Sequence, residues 1–312
     1  LLCHYEWYRY HGNKAYLEQS RDYITALLRQ LMTQIAPDGQ ECLDGTRFLD
    51  WPSNSNKDAI AAGLQALMVW GMRVGVEFAE LFEDRQLSND CKAAEKKLVK
   101  AASKVYKKFL ASCPAPDAPG SKQVAALMAI TGLIDAPKAD KEFLSINGAQ
   151  GFSTFYGYYM LEAMAAAGNY QGALDVIREH WGAMIDLGAT SFWEDFDINW
   201  IPNAAPIDEL VPEGKKDIHG DCGAYCYVGF RHSLCHGWAS GPTSWLSRHI
   251  LGVEVLEPGC RQVRITPHLG DLQWVKGTFP TPYGEIQIYH ERQANGNVIS
   301  EVKAPKEVSV IK

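Results

Sequence analysis

With 312 residues, 46% of them hydrophobic and 21% charged, the chain has the composition of a globular protein with ample material for a core, which argues against disorder and against a membrane-embedded protein. A formal net charge of −7, with no Lys/Arg-rich run beside exposed aromatics, excludes nucleic acid and anionic membrane as expected partners. No stretch reads as the run of about 18 apolar residues that could cross a bilayer.

In chain order, Tyr5 to about Met32 repeats apolar residues at helical spacing (Tyr16, Tyr23, Ile24, Leu27, Leu28, Leu31) and predicts one long helix, stopped by Pro37-Asp38-Gly39. The chain opens without Met or a signal peptide, in what reads as the middle of a helix, so further helices are expected upstream. Phe48-Leu49-Asp50-Trp51-Pro52 follows in a loop, and Ser55 or Asn56 can cap a helix from about Lys57 to Phe82. A lysine-rich amphipathic helix is predicted from Asn89 to Leu110, a linker over Pro114–Gly120, a short helix from Gln123 to Ile134 and an ill-defined connection over Ala136–Asn147. Phe152–Ala167 and Gln171–Leu187 read as paired hairpin helices, with Tyr156, Tyr158 and Tyr159 serving either the core or a sugar site. Ile201–Ile218 is a proline-rich loop long enough to wall or cover a cleft. Arg231–Leu251 begins polar and ends as a helix carrying Trp245, Leu246 and Ile250. From Val253 the pattern turns to period two, broken at Pro-Tyr-Gly and Asn295-Gly296, which predicts a small β domain. The helices before it bury themselves best as a bundle or an (α/α) barrel of hairpins.

The most concentrated chemistry lies in Gly188–Asp197, GATSFWEDFD, where Glu194, Asp195 and Asp197 sit among Phe192, Trp193 and Phe196. Apolar neighbours raise carboxyl pKa values and aromatic faces stack on pyranose rings, so the stretch reads as a sugar site; solvated acids at a helix N-terminus are the alternative. Eight scattered cysteines do not form a disulfide framework in a chain this large, so most are expected to be buried thiols. His219, Cys222, Cys226, Cys235 and His236 are zinc-type ligands without a paired C-x-x-C, and the reading adopted is no metal and no cofactor.

Three blocks resemble the α-L-rhamnosidases, family 78 of the glycoside hydrolases. They are Gly188–Asp197, similar to the family's G-A-T-T-x-W-E; Ser233–Leu246, with Ser233, His236, Gly241, Trp245 and Leu246; and Arg264–Tyr283, with Ile265, Pro267, Leu272, Trp274 and Gly277, where Thr281 replaces a serine. The resemblance implies an (α/α)6 barrel of the six-hairpin glycosidase type over 1–252, N-terminally incomplete, followed by a small antiparallel β-sandwich over 253–312. It further implies hydrolysis of terminal α-L-rhamnosyl linkages with inversion, and a rhamnose-containing carbohydrate as partner. Glu194 falls at the position of the general base, while the family's acid block, D-E-R-x-x-x-x-G-D, is expected upstream of this chain. Asp50, Trp51, Trp193, His236 and Trp238 are the implied sugar-binding residues, with Asp195 and Asp197 as supporting or capping acids and the core as the alternative place for Trp193. A periplasmic or secreted location follows from the resemblance alone. Oligomeric state is not read from the sequence.

Overall fold

A computed structural model describes residues 1–113, 115, 116, 118–222, 229 and 231–311. Cys226, together with Pro114 and Asp117 of the predicted linker, lies outside the described residues. The chain divides into two compact units, one built from residues 1–47, 64–108 and 246–312 and the other from 48–63 and 109–245.

In the first unit, the single long helix expected at the start is three: α1 (Leu2–His11), α2 (Lys14–Gln19) and α3 (Arg21–Thr33). Gly12 ends α1 in the left-handed region at φ 68°, and the Asn13 side chain accepts the Tyr16 amide to cap α2. The apolar spacing runs through both breaks, which is why periodicity alone joins them. Next come α4 (Lys57–Leu81) and α5 (Arg85–Ser112), an antiparallel hairpin tied by Arg73–Glu95 at 2.7 Å. Gln65, fully buried on α4, donates to the carbonyls of Gly39 and Leu98 and accepts the amide of Glu41, so its polar group joins α4, α5 and the turn before them. Contrary to the sequence expectation, α4 is long and apolar enough by composition to cross a membrane, but 67% of its most apolar window is buried inside the protein. A helix covered on most sides reads as apolar all round.

The same unit ends in six strands, β1 (Val253–Val255), β2 (Gln262–Ile265), β3 (Trp274–Thr281), β4 (Gly284–Arg292), β5 (Val298–Lys303) and β6 (Ser309–Ile311). They form two three-stranded sheets, β1-β2-β6 and β3-β4-β5. Inward residues of both, including Val253, Val263 and Ile265 with Phe279, Ile286 and Ile288, share one core. One pairing departs from the antiparallel expectation: β6 returns from the second sheet and joins the edge of β2 in parallel. Against this domain packs α1, with the Arg9 guanidinium donating to the Val255 carbonyl at 2.8 Å. A Cβ on Gly12 would come within 2.8 Å of the Gly259 backbone, so the approach requires glycine.

The second unit is centred on α6 (Ser121–Ile130), whose first nine residues are buried. Around it lie α7 (Ala136–Ala139), continued by a π turn over Asp140–Leu144 where the sequence reading left a connection, and α8 (Gly157–Ala166), α9 (Tyr170–Asp186) and α10 (Gly241–Trp245). Two buried indoles fix these elements, Trp181 donating to the Ala239 carbonyl and Trp245 to that of Leu161.

His180 on α9 is fully buried beside the rings of Trp181 and Phe196, and neither ring nitrogen has a hydrogen-bond partner among the described residues. Burial holds its pKa down at about 3. Because the folded value lies below the unfolded one of about 6.5, stability is complete above pH 6.5 and falls as the unfolded chain takes up the proton toward pH 3. His180→Leu is expected to be neutral or stabilising by about 1 kcal/mol at pH 7 and to flatten the acid limb of urea-melt stability between pH 6.5 and 4. An unchanged acid slope would exclude His180 as its source.

Candidate active site

Within the second unit, residues 192–196 and 232–236 run alongside each other as a short extended pair. The Glu194 amide donates to the Ser233 carbonyl, the His236 amide to the Phe192 carbonyl, and the Ser233 amide to Oε2 of the Glu194 side chain at 3.1 Å. The Glu194 carbonyl accepts from both Thr154 Oγ1 and Trp238 Nε1, each at 2.6 Å. Main chain and side chain of Glu194 are therefore held by three residues from two separate stretches of the chain, the kind of support that fixes a reacting group. His236 Nδ1 lies 3.8 Å from Glu194 Oε2, and its ring is 4.3 Å from that of Trp238.

Next to it, the Asp195 amide donates to His232 Nε2 at 3.1 Å, while His232 Nδ1 faces the Ile218 carbonyl at 3.0 Å. This pairing assigns the hydrogen to Nδ1. Ile218, at the end of the proline-rich loop, thus anchors the site from behind and does not line the cavity.

Asp50 is the N-cap of a single 3₁₀ turn, Trp51–Ser53, with a reciprocal capping box to Ser53. Its carboxylate is buried and accepts from Ser153 Oγ at 2.6 Å, Gln123 Nε2 at 3.0 Å and the Trp51 amide at 3.0 Å. Burial pushes the Asp50 carboxyl up, and these donors oppose the shift.

A cavity of about 190 Å³ opens between these segments, lined by Phe48, Leu49, Asp50, Trp51, Pro52, Ser153, Thr154, Phe155, Glu194, Asp195 and Trp238. It lies below the roughly 300–1,000 Å³ of drug-sized sites, a size suited to one sugar ring. Phe48 stands edge-on to Trp51, and Phe155 is stacked with Trp238 at 5.8 Å, so apolar faces enclose a floor of acids and hydroxyls.

The structure therefore brings Asp50, Trp51, Glu194, Asp195 and Trp238 together and sets His236 against Glu194. One expected sugar-binding residue lies elsewhere, and Asp197 takes the capping one of its two expected roles. Trp193 is fully buried in the core against Phe196 and His232 and does not wall the cavity: in extended chain, successive side chains point to opposite sides. Asp197 caps the 3₁₀ turn Ile198–Trp200 through the Asn199 amide. Sequence reasoning gave no role to Phe155, Gln123, Ser153, Thr154 or His232; only an aromatic next to two hydroxyl residues just before α8 could have marked part of that set. Of the zinc-type residues, His219 pairs with Asp217, Cys222 is buried and Cys235 is exposed.

Residues 252–311 match the family model described as bacterial alpha-L-rhamnosidase C-terminal domain. A search of curated proteins returns no match. Among solved structures, the chain is similar to the GH78 family rhamnosidase of Bacillus sp. GL1 (TM-score 0.72, 20% identity, 99% of this chain and 32% of that one). It is likewise similar to the α-L-rhamnosidase of Aspergillus terreus (0.73, 16%, 99% and 35%) and to that of Streptomyces avermitilis, solved in complex with L-rhamnose (0.70, 18%, 97% and 28%). The chain spans about a third of the length of these proteins, and at such identities the likeness is one of fold, an (α/α)6-barrel region followed by a β-sandwich, as the sequence led one to expect. The chain thus carries a bacterial α-L-rhamnosidase C-terminal domain on a fold shared with the family 78 rhamnosidases.

Proposed function

We propose that the protein hydrolyses terminal α-L-rhamnosyl linkages with inversion, with Glu194 as the general base. The observation that carries this reading is a glutamate whose carboxylate accepts the Ser233 amide and whose main-chain carbonyl is fixed by Thr154 and Trp238, at the edge of a cavity sized for one sugar and walled by aromatics; the rhamnose-bound relative adds support. In the reaction, Glu194 takes a proton from water as the water oxygen bonds to the anomeric carbon. The glycosidic C–O bond breaks, and the departing oxygen takes a proton from a second carboxylic acid on the far side of the ring. That acid belongs, in this proposal, to residues preceding Leu1 in the complete protein, about 6.5–9.5 Å from Glu194. Asp50 accepts hydrogen bonds from sugar hydroxyls, Trp51, Phe155 and Trp238 cover the ring's apolar edge and methyl group, and His236 borders the base. The proposal also assigns residues 1–252 to the catalytic barrel and 253–312 to the β-sandwich.

A panel of nitrophenyl glycosides tests it on the full-length protein. Release is expected from the α-L-rhamnoside, with β-L-rhamnose as the first sugar seen by NMR. Cleavage restricted to glucosides or glucuronides would instead favour a barrel glycosidase of other specificity, and binding without any cleavage a carbohydrate-binding relative.

A further inference from the structure

Three of the described residues lining the cavity are carboxylic acids, Asp50, Glu194 and Asp195, and no lysine or arginine is among them. Like charges crowded into a small, largely apolar space cannot all be ionised at little cost, so a proton is retained among them. The hydrogen bonds say where. The Asp50 carboxylate accepts three donors, from Ser153, Gln123 and the Trp51 amide. Glu194 accepts the Ser233 amide and faces His236. Among the described residues Asp195 accepts only the amide of its neighbour Phe196, and the imidazole behind it, His232, is engaged with the Asp195 main chain and with Ile218.

We propose that Asp195 works as a neutral carboxylic acid that donates its hydrogen to a hydroxyl oxygen of the bound sugar, and so determines which hydroxyl pattern the cavity accepts. Asp50 and Glu194 supply only acceptors, so a site meant to discriminate hydroxyls gains a directed donor from this residue. A buried donor left unpaired by the wrong sugar penalises that sugar more than an apolar contact would. Consistent with this, burial pushes the Asp195 carboxyl up to about 7, with the charges of Asp50, Asp197 and Glu194 adding and the Phe196 amide opposing. The inference rests on the sugar-cavity reading for the identity of the ligand, but the location of the proton can be measured without any substrate.

In full-length protein labelled with 13C at the aspartate carboxyls, one resonance is expected to titrate near neutral pH, to be absent from Asp195→Asn and to persist in Asp50→Asn. The Glu194→Gln variant, which removes a neighbouring charge, should lower that midpoint. In kinetics on an aryl rhamnoside, KM is expected to rise about three- to tenfold as pH goes from 6 to 9, the loss of one hydrogen bond. It should stay flat in Asp195→Asn, whose amide donates at every pH. A near-neutral titration that survives Asp195→Asn and vanishes with Asp50→Asn would overturn the proposal, as would a midpoint unmoved by Glu194→Gln. If the titration behaves as stated but no rhamnoside is cleaved, the rhamnosidase reading falls and the protonated Asp195 stands.

Discussion

Replacing Glu194 by Gln in the full-length protein is expected to lower kcat for an aryl α-L-rhamnoside by about 10²–10⁴-fold, the range contributed by a positioned acid or base, with little change in KM or in the melting temperature. The fold is spared because the amide oxygen of Gln can still accept the Ser233 amide, and the Glu194 main-chain bonds to Thr154, Ser233 and Trp238 do not involve the side chain. What is lost is the group that takes water's proton. Azide separates this from a merely structural defect, since an anionic nucleophile needs no base: in Glu194→Gln it should restore turnover and yield the glycosyl azide of inverted configuration. Undiminished hydrolysis by the variant would remove Glu194 from the role.

The largest effect on stability is expected at Gly252, where the helical part of the chain meets β1. Its φ is 74°, and a Cβ built there would stand 2.3 Å from the Thr266 carbonyl carbon, 2.4 Å from its oxygen and 2.5 Å from the Pro267 nitrogen. All of these are backbone atoms, which no rotamer change can move aside. Gly252→Ala combines a left-handed conformation, costing about 1–3 kcal/mol, with an overpacking strain of about 1–3 kcal/mol. A loss of roughly 2–6 kcal/mol follows from these terms, visible as a lower thermal midpoint and as weaker hydrogen-exchange protection of β1 and β2. The Thr266 amide bonds the Gly252 carbonyl at 2.9 Å, so both sides of the junction are strained together. A variant as stable as the parent would mean the approach is looser than this geometry.

Much of the architecture was legible because its cause is local. The outer and inner faces of α5 follow from apolar spacing, the start of α4 from the capping residues Ser55 and Asn56, and β3 and β4 from alternation ended by Pro282-Tyr283-Gly284 and Asn295-Gly296. The breaks at Gly12 and Ser20 were not legible, since an apolar period can pass unbroken through a cap. In the cavity, a run of acids and aromatics announced Glu194, but local composition cannot tell which aromatic turns inward; Trp193 went to the core, and Phe155 and Trp238 form the wall. Gln123 and Ser153 escaped notice for a different reason. Their significance lies in meeting Asp50, which is 73 and 103 residues away in sequence, and only the tertiary fold creates that meeting.

The contact between α1 and the β domain also bears on how the chain is made. Arg9 and Val255 are 246 residues apart, so at about 5–20 residues per second the ribosome delivers this partner of α1 roughly 12–50 s after the helix itself. Throughout that interval the β-domain core on which Tyr10 packs has yet to be made. Co-translational folding of the first unit must therefore wait for the last strands. Truncation within residues 252–311, matched by the family model, is expected to leave the face of α1 that carries Tyr10 without its partner surface, a substrate for chaperones and proteases rather than a shorter version of the folded unit.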